Sequence, residues 1–169
     1  MEISSIGLII AYLGSNLVGA SMAWISLKRP LIGRFMFALL FLWAGQFNWR
    51  ACRSDPQVYV GYGDFSVIPF LKTFIEGWFA ENVTMAVSGI ALGQVLIGLS
   101  MLAGGWLTRF GAWGGILFLA AISPLGMGSA FPATVLMALG CYFIYKAGYS
   151  GNLFTHLKIW LKTGKETNH

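Results

Sequence analysis

Amide side chains inside long apolar runs are the residues of this sequence best suited to bind a ligand. Gln94 stands in the middle of one run, and Gln46 stands near the end of another. An amide with unmet hydrogen bonds is costly in hydrocarbon, so Gln94 is expected to face another helix, a ligand or water. Gly98 follows Gln94 by four residues and shares its face of a helix, where a partner could approach closely.

Two cations extend the polar end of the second apolar run. Gln46, Arg50 and Arg53 recur at i, i+4 and i+7, so they line up on one side of a helix that continues to Arg53. This arrangement would suit an anionic or carbonyl-bearing ligand at the mouth of a bundle. Acidic lipid headgroups are the alternative and the commoner partner for such cations.

A proline- and glycine-rich connection interrupts the apolar residues between 124 and 132. Proline frees backbone carbonyl groups that need new partners, so a broken helix at this depth should be buried in protein or line a cavity. A tight turn at the membrane surface is an equally good interpretation. The candidate ligand-binding residues are therefore Gln46, Arg50, Gln94, Gly98, Pro124, Gly126 and Pro132.

No catalytic residue can be assigned from the sequence, and no metal site is expected. His156 and His169 are the two histidines, and both fall in the C-terminal tail, which the sequence predicts to be solvated. A metal or haem centre built from histidines needs ligands that converge within the fold. We therefore expect no intrinsic cofactor, with quinone as the possible exogenous one.

The elements that would position these residues are membrane-spanning helices. The chain has 169 residues, of which 57% are hydrophobic and 10% charged, and a mean hydropathy of +0.70. These values predict an all-α integral membrane protein. Five apolar runs are candidate spans: Ser5 to Leu27, Leu31 to Trp49, Val83 to Ala103, Trp106 to Ser123 and Pro132 to Ala147.

Between the second and third runs, the sequence predicts an amphipathic helix over residues 65–80. Apolar residues recur at helical spacing from Val67 to Trp78, while Lys72 and Glu76 occupy the other side. The helix is too short and too charged to span, so it is expected to lie in the outer interface. It would either cap a cavity in the bundle or serve as a plain interfacial anchor.

The net charge of +5 is a topology signal and does not indicate nucleic-acid binding. If the spans alternate, eight of the eleven basic residues fall on one side and five of the six acidic residues on the other. The positive-inside rule then places the N-terminus outside and the C-terminus in the cytoplasm. Arg109 would be a cytoplasmic anchor, and Arg34, one turn inside the membrane, would snorkel to the surface. The expected partner is membrane lipid.

The chain is expected to comprise an N-terminal span (1–30), a bundle with the interfacial helix (31–153) and a cytoplasmic tail (154–169). Within the bundle, three stretches carry a resemblance to a known family: Gly33-Arg34-Phe35 through Leu42-Trp43-Ala44-Gly45, Gly93-Gln94 to Leu107-Thr108-Arg109, and Gly148-Tyr149-Ser150. They resemble the DoxX-like family of small membrane proteins. The resemblance implies four family helices, here preceded by an extra N-terminal span, in a bacterial inner membrane. It also implies a quinone-linked redox function. Within the family this function is best defined for the membrane subunit of a thiosulfate:quinone oxidoreductase.

Three functions are compatible with these features, and the sequence leaves open whether the protein is an enzyme. The first is an accessory subunit that binds a quinone or lipid between its helices and docks to a redox partner. The second is an oxidoreductase subunit in which Gln46, Arg50 and Gln94 hydrogen-bond a quinone oxygen. The third is a small transporter, a hypothesis suggested by the broken 124–132 connection.

Overall fold

The computed structural model describes residues 5–148 and 151–164, and the predicted all-α membrane fold is confirmed. Its α-helices are α1 (Ser5–Lys28), α2 (Pro30–Ser54), α3 (Pro69–Phe74), α4 (Val83–Leu102), α5 (Trp106–Ile122), α6 (Ala133–Ala147) and α7 (Leu153–Thr163). Two 3₁₀ segments, Pro56–Phe65 and Ser123–Ser129, connect them. Glu2, Tyr149, Ser150, Lys165 and His169 lie outside the described residues.

Four of these helices are long and apolar enough to cross a membrane, as expected for an integral membrane protein. They are α1, α2, α4 and the continuous helical stretch that begins at Trp106 and reaches Ser129. The fifth predicted span corresponds to α6, an apolar helix of only 15 residues. Its shortness is explained by the residues before it, because Phe131 and Pro132 belong to the preceding turn.

The centre of the bundle is the packing of α2 against α4. The buried residues of α2 are spaced by three and four residues from Arg34 through Ala38 and Phe41 to Gly45, so they form one face of the helix. A Cβ atom on Gly45 would lie 2.8 Å from the Ala91 carbonyl oxygen of α4. The backbones of the two helices therefore approach closely, as small residues allow in membrane bundles.

The N-terminal helix packs mainly against α6 rather than against its sequence neighbour α2. At Gly19, an added Cβ atom would lie 2.9 Å from the carbonyl oxygen of Ala133 at the start of α6. The opposite side of α1 carries exposed apolar side chains, including Leu13 and Leu17. This helix thus packs on the α6 side of the bundle and turns its other side to lipid.

Glycines on α4 and α5 divide into packed and open positions. Gly111 and Gly115 of α5 lie against neighbouring helices: a Cβ atom added to the first would be 2.9 Å from Ser100 Cβ, and one added to the second 2.9 Å from Cys141 Sγ. The small-xxx-small spacing of Gly111 and Gly115 predicts close helix packing, and this is confirmed. The same expectation for Gly89 and Gly93 is wrong, because no atom lies within 4 Å of a Cβ at either position.

The predicted 65–80 helix is shorter and more irregular than its sequence pattern indicates. Ser66 is extended, and α3 starts only at Pro69. After six residues it opens into a wide π-type turn, Ile75–Phe79, in which Gly77 has non-helical angles (φ −97°, ψ −111°). Glycine tolerates this conformation and breaks the helix. Ile75 turns inward and is buried, whereas Phe70 remains exposed.

On the opposite side of the bundle, two predictions about polar residues are wrong. Arg34 does not snorkel: its side chain is fully buried, and it donates to the carbonyl oxygens of Met101, Ala103 and Gly151. The first two carbonyls belong to the C-terminal end of α4, which lacks partners within the helix. His156 is likewise buried rather than solvated, and its Nε2 accepts a hydrogen bond from the Gly151 amide.

Candidate ligand cavity

A cavity of about 330 Å³ lies at the end of the bundle covered by the 56–79 segment. Its wall is mainly apolar and aromatic, with a few amide and hydroxyl groups. The lining residues are Asn48, Tyr59, Tyr62, Leu71, Phe74, Ile75, Phe79, Val87, Ile90, Gln94, Phe118, Ala121, Ile122, Leu125, Gly128 and Ser129. An apolar cavity with few polar groups is the usual form of a small-molecule site.

The cavity forms where α3 and the following π turn meet the 3₁₀ segment Ser123–Ser129. The Val67 amide donates to the Pro124 carbonyl oxygen at 3.1 Å, so the broken helix gains a partner from the covering segment. Gly126 has a φ of +60° and lies so close to the Phe65 carbonyl that a Cβ atom would be 2.7 Å from its oxygen. Only glycine fits this turn.

Three polar side chains form a continuous hydrogen-bonded chain in the cavity wall. The Tyr59 hydroxyl donates to Asn48 Oδ1 at 2.9 Å, and Asn48 Nδ2 donates to Gln94 Oε1 at 2.8 Å. These hydrogen bonds thus join the 3₁₀ segment Pro56–Phe65 to α2 and α4. It satisfies polar groups in apolar surroundings, where unpaired ones would be costly.

The phenol of Tyr59 is held in its neutral form. Burial, followed by the neighbouring Tyr62 and Cys52, raises the pKa of Tyr59 from 10.0 to about 12. Burial disfavours the phenolate because it removes water from the charge. The hydroxyl therefore stays protonated into the alkaline pH range and remains available to donate to Asn48.

Four of the seven residues predicted from the sequence fall in three different places. Gln94 lines the cavity and is buried, whereas Gln46 and Arg50 are exposed on α2 and are not among the lining residues. Gly98 packs against α2 instead, where a Cβ atom would be 2.8 Å from Leu42 Cγ and 3.0 Å from the Ala38 carbonyl oxygen.

The 124–132 connection contributes to the wall through other residues than those predicted. Pro124, Gly126 and Pro132 shape the turn but are not among the lining residues, which are Leu125, Gly128 and Ser129. The prolines and glycines therefore act on the backbone path. The side chains between them contact the cavity.

Asn48 and Tyr59 are cavity residues that the sequence interpretation missed. Asn48 follows Phe41 by seven residues and Gly45 by three, so the buried face of α2 could have identified it. The predicted face through Gln46 and Arg50 is rotated away from this one. Tyr59 has no comparable signal, because it belongs to a 3₁₀ segment whose path depends on contacts distant in sequence.

The arrangement can bind an apolar molecule with a ring and an oxygen, with aromatic walls for the ring and an amide for the oxygen. Within residues 5–148 and 151–164, no group of three or more His, Cys, Asp or Glu residues is placed to hold a metal ion. No protein-family model, curated protein or solved structure matches this chain.

Proposed function

We propose that this protein is a membrane subunit that binds a quinone in the cavity beneath the 56–79 segment and supports a redox complex. The observation that carries the proposal is Gln94, a buried amide that faces a mainly apolar and aromatic cavity. Quinones combine a flat ring, which packs against aromatic side chains, with carbonyl oxygens that accept hydrogen bonds from amides.

The size of the cavity supports a ring-sized headgroup. Its volume of about 330 Å³ lies near the lower end of small-molecule sites, which span about 300–1,000 Å³. An isoprenoid or acyl tail would extend out between the helices into lipid. A phospholipid is the alternative occupant, since its headgroup ester also carries carbonyl oxygens.

The redox complex is the part of the proposal that rests on the DoxX-like resemblance. In this proposal, the chain holds quinone while a partner subunit supplies the electrons. The bacterial inner membrane is the proposed location, with the cavity on its outer side because most acidic residues cluster there.

The test is to identify what the protein retains on purification. We expect wild-type protein in mild detergent to carry a stoichiometric quinone, detected by absorbance and mass spectrometry. Gln94→Leu should reduce quinone affinity about tenfold or more, because the carbonyl loses its donor. Gln46→Leu is the matched control, since it makes the same exchange on the same bundle but outside the cavity.

The outcomes separate the candidates. Phospholipid as the sole retained molecule, with no partner subunit, would argue against the proposal. Equal quinone loss in both variants would place the ligand elsewhere on the bundle. Quinone retention at the wild-type level in Gln94→Leu would assign Gln94 to helix packing.

A further inference from the structure

In the Tyr59–Asn48–Gln94 chain, each side chain donates a hydrogen bond to the next. The phenol of Tyr59 determines this direction of donation. The Tyr59 hydroxyl has one acceptor among the described residues, the Asn48 side-chain oxygen at 2.9 Å. A buried hydroxyl without an acceptor is costly, so Asn48 must turn its oxygen toward Tyr59. Its Nδ2 group then points to Gln94.

The orientation of Gln94 follows from that of Asn48. Because Asn48 Nδ2 donates to Gln94 Oε1 at 2.8 Å, Gln94 Nε2 is the end left for other partners. In the described parts of the chain Nε2 makes no hydrogen bond, and it is not among the polar atoms sealed in the interior without a partner. The Gln94 residue is only 4% exposed, so its N–H donors open into the cavity.

Building on the proposed function, we infer that the cavity selects the acceptor oxygen of an oxidised quinone over the hydroxyl of the corresponding quinol. A carbonyl oxygen accepts directly from Gln94 Nε2. A quinol oxygen can also accept, but it brings an O–H donor that itself needs an acceptor. Both amide oxygens of the Tyr59–Asn48–Gln94 chain already accept one hydrogen bond each. The quinol O–H must therefore share an oxygen that is already in use, whereas a carbonyl meets the unused Gln94 N–H donors.

The expected size of this selectivity is a factor of about ten or more in affinity. Tighter binding of the oxidised form makes the bound quinone harder to reduce. A tenfold preference corresponds to a two-electron midpoint potential about 30 mV lower for the bound than for the free quinone.

The test measures the oxidised and reduced forms of one ligand separately. Purified protein in nanodiscs is titrated with a short-chain 1,4-benzoquinone and, under anaerobic conditions, with its quinol. We expect the quinone to bind at least about tenfold more tightly. Equal affinities, or tighter quinol binding, would overturn the inference and leave the proposed function intact.

If neither form binds, the proposed function fails. Lipids then test whether the cavity prefers ligands with an acceptor oxygen. Protein reconstituted with equal amounts of ester-linked and ether-linked phospholipid is purified again, and the retained lipids are counted. Enrichment of the ester lipid, which alone carries carbonyl groups, would support acceptor selection with lipid as the source. Equal retention would overturn it.

Two variants test whether the Tyr59–Asn48–Gln94 chain orients the Gln94 amide and so determines the ligand preference. Tyr59→Phe removes the constraint on Asn48, so the affinity ratio should fall toward one. Asn48→Asp places an acceptor-only carboxylate beside Gln94, which should turn Nε2 toward it and expose Oε1, reversing the preference to the quinol. Tyr142→Phe, on the exposed side of α6, is the matched control and should keep the wild-type ratio.

Thermal unfolding of each variant shows whether it folds. A folded Asn48→Asp protein that keeps the wild-type preference would contradict the inference even if Tyr59→Phe does not fold. A purely structural role for the chain would lower both affinities together and leave their ratio unchanged.

Discussion

At the scale of single residues, the cavity depends on polar groups that have partners in apolar surroundings. Asn48 is the central member, because it accepts from Tyr59 and donates to Gln94. Removing either neighbour leaves a partly buried polar atom of Asn48 without its partner, which costs up to about 1–3 kcal/mol. The three side chains therefore contribute to stability as a unit as well as to ligand binding.

Tyr59 should make the stability of the protein depend on alkaline pH. Its pKa is raised from 10.0 to about 12, so between these values the folded protein keeps a proton that the unfolded chain loses. The stabilisation is complete below pH 10 and is lost as the pH rises toward 12. We expect unfolding midpoints in this range to fall more steeply for wild type than for Tyr59→Phe. Parallel pH profiles would contradict a buried, neutral phenol.

Spectrophotometric titration of the phenols gives an independent check. In folded protein, the Tyr59 phenol should give an ionisation transition near pH 12. That late transition should be absent in Tyr59→Phe and present in Tyr142→Phe.

Arg34 shows how far residue type and depth can predict a side chain's position. Its place one turn inside the membrane predicts snorkelling, yet its spacing to Ala38, Phe41 and Gly45 puts it on the buried face of α2. The compensating acceptors are the carbonyls at the end of α4 and at Gly151, far away in sequence. The sequence therefore predicts which face of α2 carries Arg34. It does not predict the distant carbonyl groups that stabilise the buried guanidinium.

At the scale of elements, α4 carries both the binding surface and the packing surface on one helical face. Gln94 lines the cavity, and Gly98, one turn further along, contacts α2. The shared face is predictable from spacing. Its division into a cavity half and a packed half is not, because that depends on which neighbouring elements approach α4 at each position.

A pair of alanine substitutions on α4 tests this division. Gly98→Ala places a methyl group 2.8 Å from Leu42 Cγ and 3.0 Å from a backbone oxygen of α2, so it should lower stability by about 1–3 kcal/mol. Gly93→Ala, which meets no atom within 4 Å, should leave stability unchanged or raise it slightly. Thermal unfolding in detergent measures both. Equal effects would contradict the close approach of α2 and α4.

In the 56–79 segment, the sequence pattern predicts the apolar residues but not the backbone path. Its apolar periodicity predicts one regular helix over 65–80, but the observed α3 and π turn are broken at Gly77. The break turns Ile75 inward and brings Phe79 to the cavity wall. Periodicity records which residues are apolar, while the contacts with the 123–129 segment decide where the backbone bends.

At the scale of the whole molecule, the two ends of the bundle differ in structure and charge. One end holds the cavity, the 56–79 segment and the 123–129 turn, joined by the Val67–Pro124 hydrogen bond. The other end gathers the α4–α5 turn and Gly151 around Arg34. Basic residues predominate at the Arg34 end, and the proposed orientation therefore places this end in the cytoplasm.

This orientation predicts which surface positions are accessible from outside the cell. Asp64 lies at the cavity end with an exposed side chain, and Lys162 lies on α7 at the other end. The two native cysteines are buried, so they should give little background. In intact cells, a membrane-impermeant maleimide should label Asp64→Cys and not Lys162→Cys, which should react only after permeabilisation. The reverse pattern would turn the cavity toward the cytoplasm, and any redox partner would then have to dock from that side.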